Sequence, residues 1–359
     1  VCGPGQIARL PDLIKHAMEK KGKQLSVSDA IRKAADNPEL EEFESVYDRA
    51  DKDIPGQAFV RAMRGCDNFC TYCIVPYVRG PETSRPINKI VEQVKRLADD
   101  GVKLVTLLGQ AVNKYQYRAG EKTYTLADLL YKVSEIDGIE WLRFVTSYPR
   151  KEGFTELMQV MADSPKVCNY LHMPAQSGSD KILKAMNRRY TAQQYLELID
   201  AAREIVPDIS VAGDFIVGVP GETDDDFERT AELVKKARYK NCFVFKYSPR
   251  PGTTADKSLQ DNIPEEIKKQ RNYRLLEVQE KTSAELAKQF ENKQVTVLVE
   301  GLSKKPHLNS AENDNNPQLV GRTADDWIVV FNGPASLTGQ FARVNITRTS
   351  PLTLFGELI

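Results

Sequence analysis

Three cysteines lie close together in one short segment of the chain: Cys66, Cys70 and Cys73 in the sequence RGCDNFCTYCIVPYVRG. The spacing C-x3-C-x2-C brings three thiolates to one small site, whereas a closed structural metal site uses four protein ligands. A 4Fe–4S cluster held by three thiolates keeps one iron free of protein, and that iron can bind a substrate or cofactor. The spacing therefore predicts a cluster that takes part in chemistry.

Two structural interpretations of these cysteines are less favoured. A structural zinc recruits four Cys or His ligands in paired spacing, but no second C-x2-C exists here, and His16, His172 and His307 lie far away in sequence. Disulfide frameworks belong to cysteine-dense chains, and six cysteines in 359 residues are too sparse for one. The remaining cysteines are predicted to be small buried side chains rather than ligands: Cys2, Cys168 and Cys242.

The composition is that of an ordinary globular protein, with 41% hydrophobic and 28% charged residues, and the chain is long enough for two domains. No apolar run approaches the roughly 18 residues that a membrane span needs. The formal net charge is zero, so an RNA site would have to be a local basic patch. Free cysteines and oxygen-sensitive thiolate chemistry favour the cytoplasm.

From Gln57 the chain alternates between short apolar segments and segments whose apolar residues recur every three to four positions. The predicted strands are AFVRAM, KLVTLLG, WLRFVTS, YLHMPAQ, ISVAGDFIVGV and NCFVFKYS. The predicted helices between them are IVEQVKRLADD, LADLLYKVSEI, FTELMQVMADS, YLELIDAAREI and FERTAELVKKA. Six such units predict a parallel sheet, and six are too few to close an eight-stranded barrel, so we expect an α/β fold with a partial (β/α)6 barrel.

In such a fold the catalytic groups collect at the carboxyl ends of the strands, where the cysteine segment also lies. Residues that follow the second to fifth strands should share this mouth: Gly109 and Gln110, Ser147, Gln176 and Ser177, and Gly218, Gly221 and Glu222. Structural roles stay open for each, because glycine after a strand is commonly a turn. Ser177 or Ser179 can also cap the helix that begins at Asp180.

After Pro264 a long charged helix, EEIKKQRNYRLLEVQEKTSAELAKQF, leads to five short segments that alternate with period two. They are QVTVLVEGL, QLVGRT, WIVVFNG, ARVNITRT and LTLFGEL. Five such strands predict a small antiparallel β-barrel of the kind suited to nucleic acid.

At the cysteine segment the sequence resembles the radical S-adenosylmethionine (radical SAM) enzymes, specifically the methylthiotransferases of the MiaB type. The likeness begins in AFVRAMRGCDNFCTYCIVPYVRGPETSRP and continues, in the family's order, through LLGQAVNKY, RFVTSYP, HMPAQSGSD, AMNRRYT, DFIVGVPGET and FKYSPRPGT. The C-terminal segment looks like the TRAM domain of that family. The resemblance covers about Gln57 to Ile359 and implies a radical SAM core over 56–289 and a TRAM domain over 290–359.

Residues 1–55 are expected to be the tail of a truncated N-terminal methylthiotransferase domain followed by a linker. Residues 1–16 look like the end of an α/β domain that finishes in a helix, and Lys20 to Pro55 is polar and charge-rich. The family places a second, auxiliary 4Fe–4S cluster in that domain, and Cys2 does not match its ligand motifs. The resemblance therefore implies that this chain cleaves the cofactor without completing sulfur insertion.

The resemblance assigns the mouth to S-adenosylmethionine, whose amino and carboxylate groups would chelate the open iron. Tyr72 would lie near the adenine, and Gly109 would let the backbone approach the methionine part closely. The other implied contacts are with ribose, carboxylate or adenine: Gln176, Ser177, Arg188, Gly218, Gly221 and Glu222. Arg188, in AMNRRYT, would pair with the carboxylate.

The implied reaction is reductive cleavage of S-adenosylmethionine to methionine and a 5′-deoxyadenosyl radical. Sulfur then comes from the auxiliary cluster and a methyl group from a second S-adenosylmethionine. The implied substrate is N6-isopentenyladenosine next to the anticodon, so the partners would be a tRNA anticodon stem-loop and an electron donor such as flavodoxin or ferredoxin.

Several charged residues have a structural explanation as well as a functional one. Asp224, Asp225 and Asp226 follow Thr223, and they predict a helix start rather than a metal site. His172 is expected to pack or hydrogen-bond rather than to catalyse. Arg143 and Arg150 would reach RNA phosphate or form a solvated face.

The TRAM segment offers candidate RNA contacts. Because acidic residues slightly outnumber basic ones in it, the alternative that it is a purely structural lid is kept. The candidates for contacts with phosphates are Lys304, Lys305, Arg322, Arg343 and Arg348. The candidates for stacking on bases are Trp327 or Phe331.

Two positions depart from the family: Ala111 stands where asparagine is usual and Tyr148 where histidine is usual. The alternative substrates are therefore N6-threonylcarbamoyladenosine or an aspartate of a ribosomal protein. The non-enzymatic alternative is an RNA-binding module with a structural metal.

Overall fold

The computed structural model describes residues 2–3, 9–20, 55–304 and 316–359. Most of the predicted linker, together with Lys305 and His307, lies outside these residues. Helix α1 spans Leu10–Lys20. It overlaps the helix that the sequence predicts at the end of residues 1–16.

Six parallel strands form the centre of the molecule, and the six predicted strands are thereby confirmed. They pair in two groups of three, in the orders β1-β2-β3 and β6-β5-β4. An isolated parallel bridge between Leu142 and Val167 links the first group to the segment that leads into the second group. The strands are β1 Gln57–Arg61, β2 Leu104–Leu108, β3 Trp141–Phe144, β4 Tyr170–His172, β5 Ser210–Val217 and β6 Asn241–Lys246.

Amphipathic helices cover the outer face of this half-barrel. They are α2 Ile87–Asp99, α3 Leu126–Ser134, α4 Phe154–Asp163, α5 Ala192–Ile205, α6 Asp224–Ala237 and α7 Glu265–Lys288. Thr125, Thr191 and Thr223 each begin a helix with a capping box, and such a cap contributes about 1 kcal/mol. The strand residues that face the helices, such as Val60, Leu107 and Leu142, are fully buried in the main core.

Shorter elements fill the connections. Met63–Arg64 pairs antiparallel with Thr83–Ser84 at the two ends of the cysteine loop, and Gln116–Ala119 forms a hairpin with Lys122–Thr125. Single helical turns cover Val75–Val78, Asp180–Ala185 and Thr254–Ser258. Two 3-10 turns cover Val112–Lys114 and Ala335–Leu337.

The C-terminal strands close into a small barrel in the order β7-β8-β9-β11-β10. They are β7 Gln294–Leu302, β8 Gln318–Arg322, β9 Ile328–Asn332, β10 Phe341–Thr349 and β11 Thr353–Leu358. The five predicted strands are confirmed, and no observed end differs from the predicted end by more than one residue. The pairing of β9 with β11 is parallel, and the other pairings are antiparallel.

The small barrel packs against the amino ends of the core strands, which we call the base of the half-barrel. Trp141, at the start of β3, meets Phe341 edge to face at 4.7 Å between ring centroids. The backbones of Gly56 and Gly339 are in contact, since a Cβ on Gly56 would lie 2.7 Å from the Gly339 carbonyl oxygen. Because the cysteine segment follows β1, it lies at the opposite end, which we call the mouth. The C-terminal domain is therefore not a lid over the mouth.

Among the described helices, none is both long and apolar enough to cross a membrane.

Candidate metal centre

The cysteine loop is closed at its two ends by backbone constraints. Gly65 has a φ of +71°, and a Cβ there would lie 1.8 Å from the Pro81 carbonyl oxygen, so only glycine fits. The Cys66 amide donates to the Gly80 carbonyl at 3.1 Å. Asp67 and Glu82 bond each other's backbone amides at 3.0 and 3.1 Å. These bonds fix the entrance and exit of the loop.

The middle of the loop is held by the segment that follows the turn Asp180–Ala185. The Thr71 hydroxyl donates to the Ala185 carbonyl at 2.9 Å, and its amide donates to the Met186 carbonyl at 3.1 Å. Asn187 donates from Nδ2 to the Phe69 carbonyl at 2.9 Å. Phe69 itself has a φ of 49°, a conformation that this bond stabilises.

The three thiols are free and close enough to influence one another. Cys66 and Cys70 are each 8% exposed, and Cys73 is half-buried. Burial raises the pKa of Cys66 to about 11 and also raises the pKa of Cys73. A charge on Cys70 would raise both pKa values further, so the three sulfurs share one electrostatic environment.

Three cations lower the pKa of Cys66 or of Cys73 and favour negative charge at the site. Lys114 lowers the pKa of Cys66. Arg188 and Arg250 lower the pKa of Cys73, again against the larger effect of burial. Sequence reasoning did not single out Lys114 or Arg250, although both lie in the motifs LLGQAVNKY and FKYSPRPGT.

The donor set fits a thiolate-bound iron–sulfur cluster, because three free thiols meet cations that would balance an anionic group. In the described parts of the chain, no three His, Cys, Asp or Glu side chains converge closely enough to hold a single metal ion. A 4Fe–4S cluster takes each thiolate at a different iron, so its ligands need not converge on one point.

Arg188 lies directly against the cysteine loop. Its Nη1 donates to the Cys70 Sγ at 3.5 Å, its Nη2 to the Pro174 carbonyl at 2.9 Å and its Nε to the Tyr190 hydroxyl at 2.7 Å. Tyr148 stacks against the guanidinium, with 4.5 Å from the ring centroid to Cζ. The residue predicted to pair with a cofactor carboxylate thus contacts a predicted iron ligand.

Tyr72 and Ser147 both lie at the mouth. Tyr72 packs against an apolar cluster that contains Val219, Tyr247 and Met186, and burial raises the pKa of its phenol well above the usual value. Ser147 is 2% exposed, and its hydroxyl has no hydrogen-bond partner among the described residues. A buried hydroxyl without a partner is available to a bound molecule.

The glycine and glutamine positions after the strands carry backbone constraints of their own. A Cβ on Gly109 would lie 2.7 Å from Met63 Cγ, so packing alone requires glycine there, and Gln110 beside it is half-buried. Gln176 has a φ of 71° and bonds the edge of β5 through its amide, which donates to the Asp214 carbonyl at 2.8 Å. Their predicted cofactor contacts stay predictions.

Ser177 and Glu222 are engaged inside the protein. The Ser177 hydroxyl is 3.2 Å from the Thr230 hydroxyl and accepts from the Ser179 amide. Glu222 accepts from the Gly218 amide at 2.7 Å and from Arg271 Nη1 at 2.8 Å. These bonds shape the loops that form the mouth.

The turn that contains Gly218 and Gly221 has positive φ values of 72° and 80°. A Cβ on Gly218 would lie 2.4 Å from Lys268 Cγ, so this glycine is required by the close approach of α7. Gly221 has open space around it. Burial raises the pKa of Glu222, whose carboxylate closes the turn.

A cleft of about 620 Å³ lies beside the cysteine loop. It begins at Asn68 and carries several basic side chains along its walls. They are Lys114, Arg150, Lys151 and Arg189. Arg150 pairs with Glu152 at 3.2 Å, whereas the exposed Arg189 side chain makes no ion pair among the described residues.

Two expectations about charged residues are confirmed. Thr223 caps α6, and Asp226 completes its capping box, so the three adjacent carboxylates mark a helix start. Although burial opposes it, bonds from Lys181 and Ser179 hold the pKa of Asp226 well below its usual range. His172 hydrogen-bonds Asp214 at 3.1 Å.

Other expectations are wrong. Arg143 is neither solvated nor at the mouth: it is 7% exposed and pairs with Asp326 at 3.0 Å at the base. Trp327 and Phe331 are 1% and 2% exposed in the core of the small barrel, so neither can stack on a base. Arg322 pairs with Glu300 and Asp326 but is still 34% exposed, so its predicted RNA contact stays a prediction.

The remaining predicted positions have mixed outcomes. Ala111 is buried in the main core, so it presents no group to the mouth, whereas Tyr148 borders the cleft. Arg343 and Arg348 lie on the small barrel, where Arg348 stacks on Phe355. Cys168 and Cys242 are buried as expected, and Cys2 is half-buried.

The chain is similar to known proteins over its whole length. The model of the Radical SAM superfamily matches residues 60–234, and that of the TRAM domain matches residues 288–359. A tRNA-2-methylthio-N(6)-dimethylallyladenosine synthase of Rhodopirellula baltica is 41% identical over 361 residues, which cover 100% of this chain and 75% of the relative. The enzyme of the same name from Aquifex aeolicus is 40% identical, covering 98% of this chain and 74% of the relative.

A third relative of the same name, from Thermoanaerobacter sp. (strain X514), is 46% identical over 84% of this chain, which spans 62% of that relative. Among solved structures, the coproporphyrinogen III oxidase of Escherichia coli has a TM-score of 0.46 at 13% identity, covering 88% of this chain and 70% of that one. Methylornithine synthase has a TM-score of 0.44 at 14% identity, covering 75% and 73%.

Proposed function

The chain belongs to the radical SAM family of tRNA-2-methylthio-N(6)-dimethylallyladenosine synthases, and we propose that it methylthiolates N6-isopentenyladenosine next to the anticodon of tRNA. Its relatives of that name are about 41% identical over the whole chain. The observation that carries the proposal is the loop of three free cysteines at the mouth of a parallel half-barrel, the end at which such folds hold their catalytic groups.

Cys66, Cys70 and Cys73 hold the 4Fe–4S cluster in this proposal. When bound, the cluster supplies the electron for reductive cleavage of S-adenosylmethionine. The protein's own part is to place the cofactor and to keep water out of the mouth. The free hydroxyl of Ser147 and the half-buried Tyr72 are the side chains that support a cofactor site most directly.

The remaining predicted contacts complete the cofactor site in the proposal. Gly109, Gln110, Gln176 and Gly221 border it through their backbones or side chains. Ser177, Gly218 and Glu222 act mainly by shaping the loops, since their polar groups are engaged within the protein.

The basic cleft at the mouth is where we place the tRNA. Lys114, Arg150, Lys151 and Arg189 line it, and phosphate contacts by such side chains supply most non-specific affinity for nucleic acid. The candidate contacts on the small barrel, Arg343, Arg348 and Lys304, lie on the domain that packs at the base. A tRNA that touches both sets would have to span the half-barrel.

The proposal includes partners and a second cofactor that lie beyond the described residues. An auxiliary 4Fe–4S cluster in an N-terminal methylthiotransferase domain would provide sulfur, and a flavodoxin or ferredoxin would provide electrons. A cytoplasmic location goes with these partners.

Mass spectrometry of modified nucleosides tests the proposal. Cells that lack the gene for this protein should lose 2-methylthio-N6-isopentenyladenosine from tRNA and accumulate N6-isopentenyladenosine, and the restored gene should reverse both changes. Unchanged tRNA would contradict the proposal. A loss confined to methylthiolated N6-threonylcarbamoyladenosine, or to a ribosomal-protein aspartate, would establish the alternative substrate instead.

A further inference from the structure

Arg188 is a half-buried cation that has no acidic partner in the parts of the chain that the structure describes. No Asp or Glu side chain among the described residues pairs with it, whereas most other buried cations of this protein do have one. Its hydrogen bonds go instead to the Cys70 sulfur, the Pro174 carbonyl and the Tyr190 hydroxyl. A guanidinium that is kept from water normally needs an anion nearby, and the Cys70 sulfur is the contact that can become one.

The guanidinium is fixed in its orientation before any ligand binds. Its Cζ lies 4.5 Å from the ring centroid of Tyr148 and 5.0 Å from that of Tyr190, and these two rings meet edge to face at 5.8 Å. Bonds from Nε and Nη2 leave Nη1 directed at Cys70. Because the fork is rigid and pre-organised, little is lost when it forms the sulfur contact.

We propose that Arg188 is a positioning residue that raises the reduction potential of the cluster through its N–H bond to the Cys70 sulfur. The inference rests on the proposed function, since it takes Cys70 as a cluster ligand. Hydrogen bonds to ligand sulfurs and nearby positive charge both stabilise the more negative, reduced cluster. Lys114 contributes less, because it is already paired with Glu82 at 3.0 Å.

The competing role for Arg188 is the pairing with the cofactor carboxylate that the family resemblance implies. The two roles differ in when they act. A bond to the Cys70 sulfur changes the potential of the cluster in the absence of S-adenosylmethionine. A bond to the carboxylate changes only the binding of the cofactor.

The test is a redox titration of the anaerobically reconstituted chain, followed by electron paramagnetic resonance without S-adenosylmethionine. The variants are Arg188→Met, which removes charge and bond, and Arg188→Lys, which keeps the charge but lacks the fork. The matched control is Arg189→Met, since that side chain is exposed next door and contacts none of the thiols. We expect the midpoint potential to fall most in R188M, less in R188K and not at all in R189M.

A second readout is the production of 5′-deoxyadenosine with reductants of different strength. R188M should turn over slowly with dithionite and recover with the stronger reductant titanium(III) citrate, at an unchanged KM for S-adenosylmethionine. A raised KM that no reductant corrects would assign Arg188 to the cofactor carboxylate and overturn the inference.

The outcomes separate this inference from the proposed function. Suppose first that wild type forms the cluster and that R188M has the same midpoint potential as R189M: the inference is then wrong. If R188M takes up no iron, the same comparison is made with R188K. If both Arg188 variants fail to take up iron while R189M succeeds, Arg188 is needed to assemble the site, which also contradicts a tuning role. If wild type forms no cluster, the proposed function itself fails.

Discussion

The two ends of the half-barrel use the same kinds of side chain in opposite ways. At the base, Asp326 accepts ion pairs from Arg143, Lys240 and Arg322 at 3.0, 3.1 and 3.2 Å. At the mouth, Arg188 pairs with no carboxylate of the described residues and is directed at the Cys70 sulfur. The cations at the base are paired with carboxylates of the protein, whereas in our proposal the Arg188 guanidinium at the mouth is balanced by a bound anionic group.

This difference teaches where stability and function lie in the molecule. A buried charge cluster whose members are all paired fixes one domain against another. A cation such as Arg188, which faces a thiol and has no carboxylate partner among the described residues, is typical of a binding site. The same division holds generally for parallel βα folds, in which the carboxyl ends carry chemistry and the amino ends carry stability.

Removing a thiol at the mouth should have the largest effect. Cys70→Ala should abolish iron binding beyond background, because the two remaining thiolates cannot hold a 4Fe–4S cluster that needs three protein ligands. The release of 5′-deoxyadenosine, measured by chromatography after anaerobic reconstitution, should be lost with it. Cys2→Ala is the control and should keep both. Turnover by the Cys70 variant would break the assignment of the mouth.

Breaking the charge cluster at the base should cost stability but not the thiol site. Asp326→Ala leaves Arg143 and Lys240 without their carboxylate, so we expect the free energy of unfolding to fall by about 3–5 kcal/mol. The control Asp225→Ala removes an exposed pair with Arg229 and should cost less than about 1 kcal/mol. If urea denaturation showed the same loss of unfolding free energy for both variants, the contrast between the buried and the exposed ion pair would be contradicted.

The same carboxylate should make stability depend on pH. Although burial opposes it, Lys240, Arg143 and Arg322 lower the pKa of Asp326 below its usual value. A lowered folded-state pKa gives stability that is present above the unfolded-state pKa, about 4, and is lost as the pH falls through the folded-state value. The gap in unfolding free energy between wild type and Asp326→Asn should therefore shrink from pH 6 to pH 3. A constant or widening gap would disagree with the paired geometry.

The smallest effect should come from the exposed wall of the mouth cleft. Arg189→Ala should weaken binding of unmodified tRNA modestly and reduce the slope of log affinity against log salt by about 1, as the loss of one phosphate contact does. Arg229→Ala, on the outer face of α6, should leave filter binding unchanged. If the two variants behave alike, the cleft is not the RNA surface.

Local features of this fold follow from sequence. Hydrophobic periodicity located all six core strands and the five strands of the small barrel, because each depends on which of its own residues are apolar. The helix start at Thr223 followed from capping chemistry. The cysteine spacing located the mouth.

Long-range placement did not follow from sequence. Arg143 and Asp326 are 183 positions apart, and no local pattern reveals that the small barrel packs at the base. Sequence alone makes Trp327 a candidate for RNA stacking, because alternation shows that two faces exist but not which one is buried. Arg188 and Cys70 are 118 positions apart. The sequence therefore shows that Arg188 can bind an anion but not that it contacts the Cys70 sulfur.

Mössbauer and electron paramagnetic resonance spectroscopy of iron-loaded protein test the central claim most directly. The account predicts a 4Fe–4S cluster in which one iron changes its signature when S-adenosylmethionine is added, since that iron lacks a protein ligand. A cluster in which all four irons are held by side chains and ignore the cofactor, or no cluster at all, would contradict it.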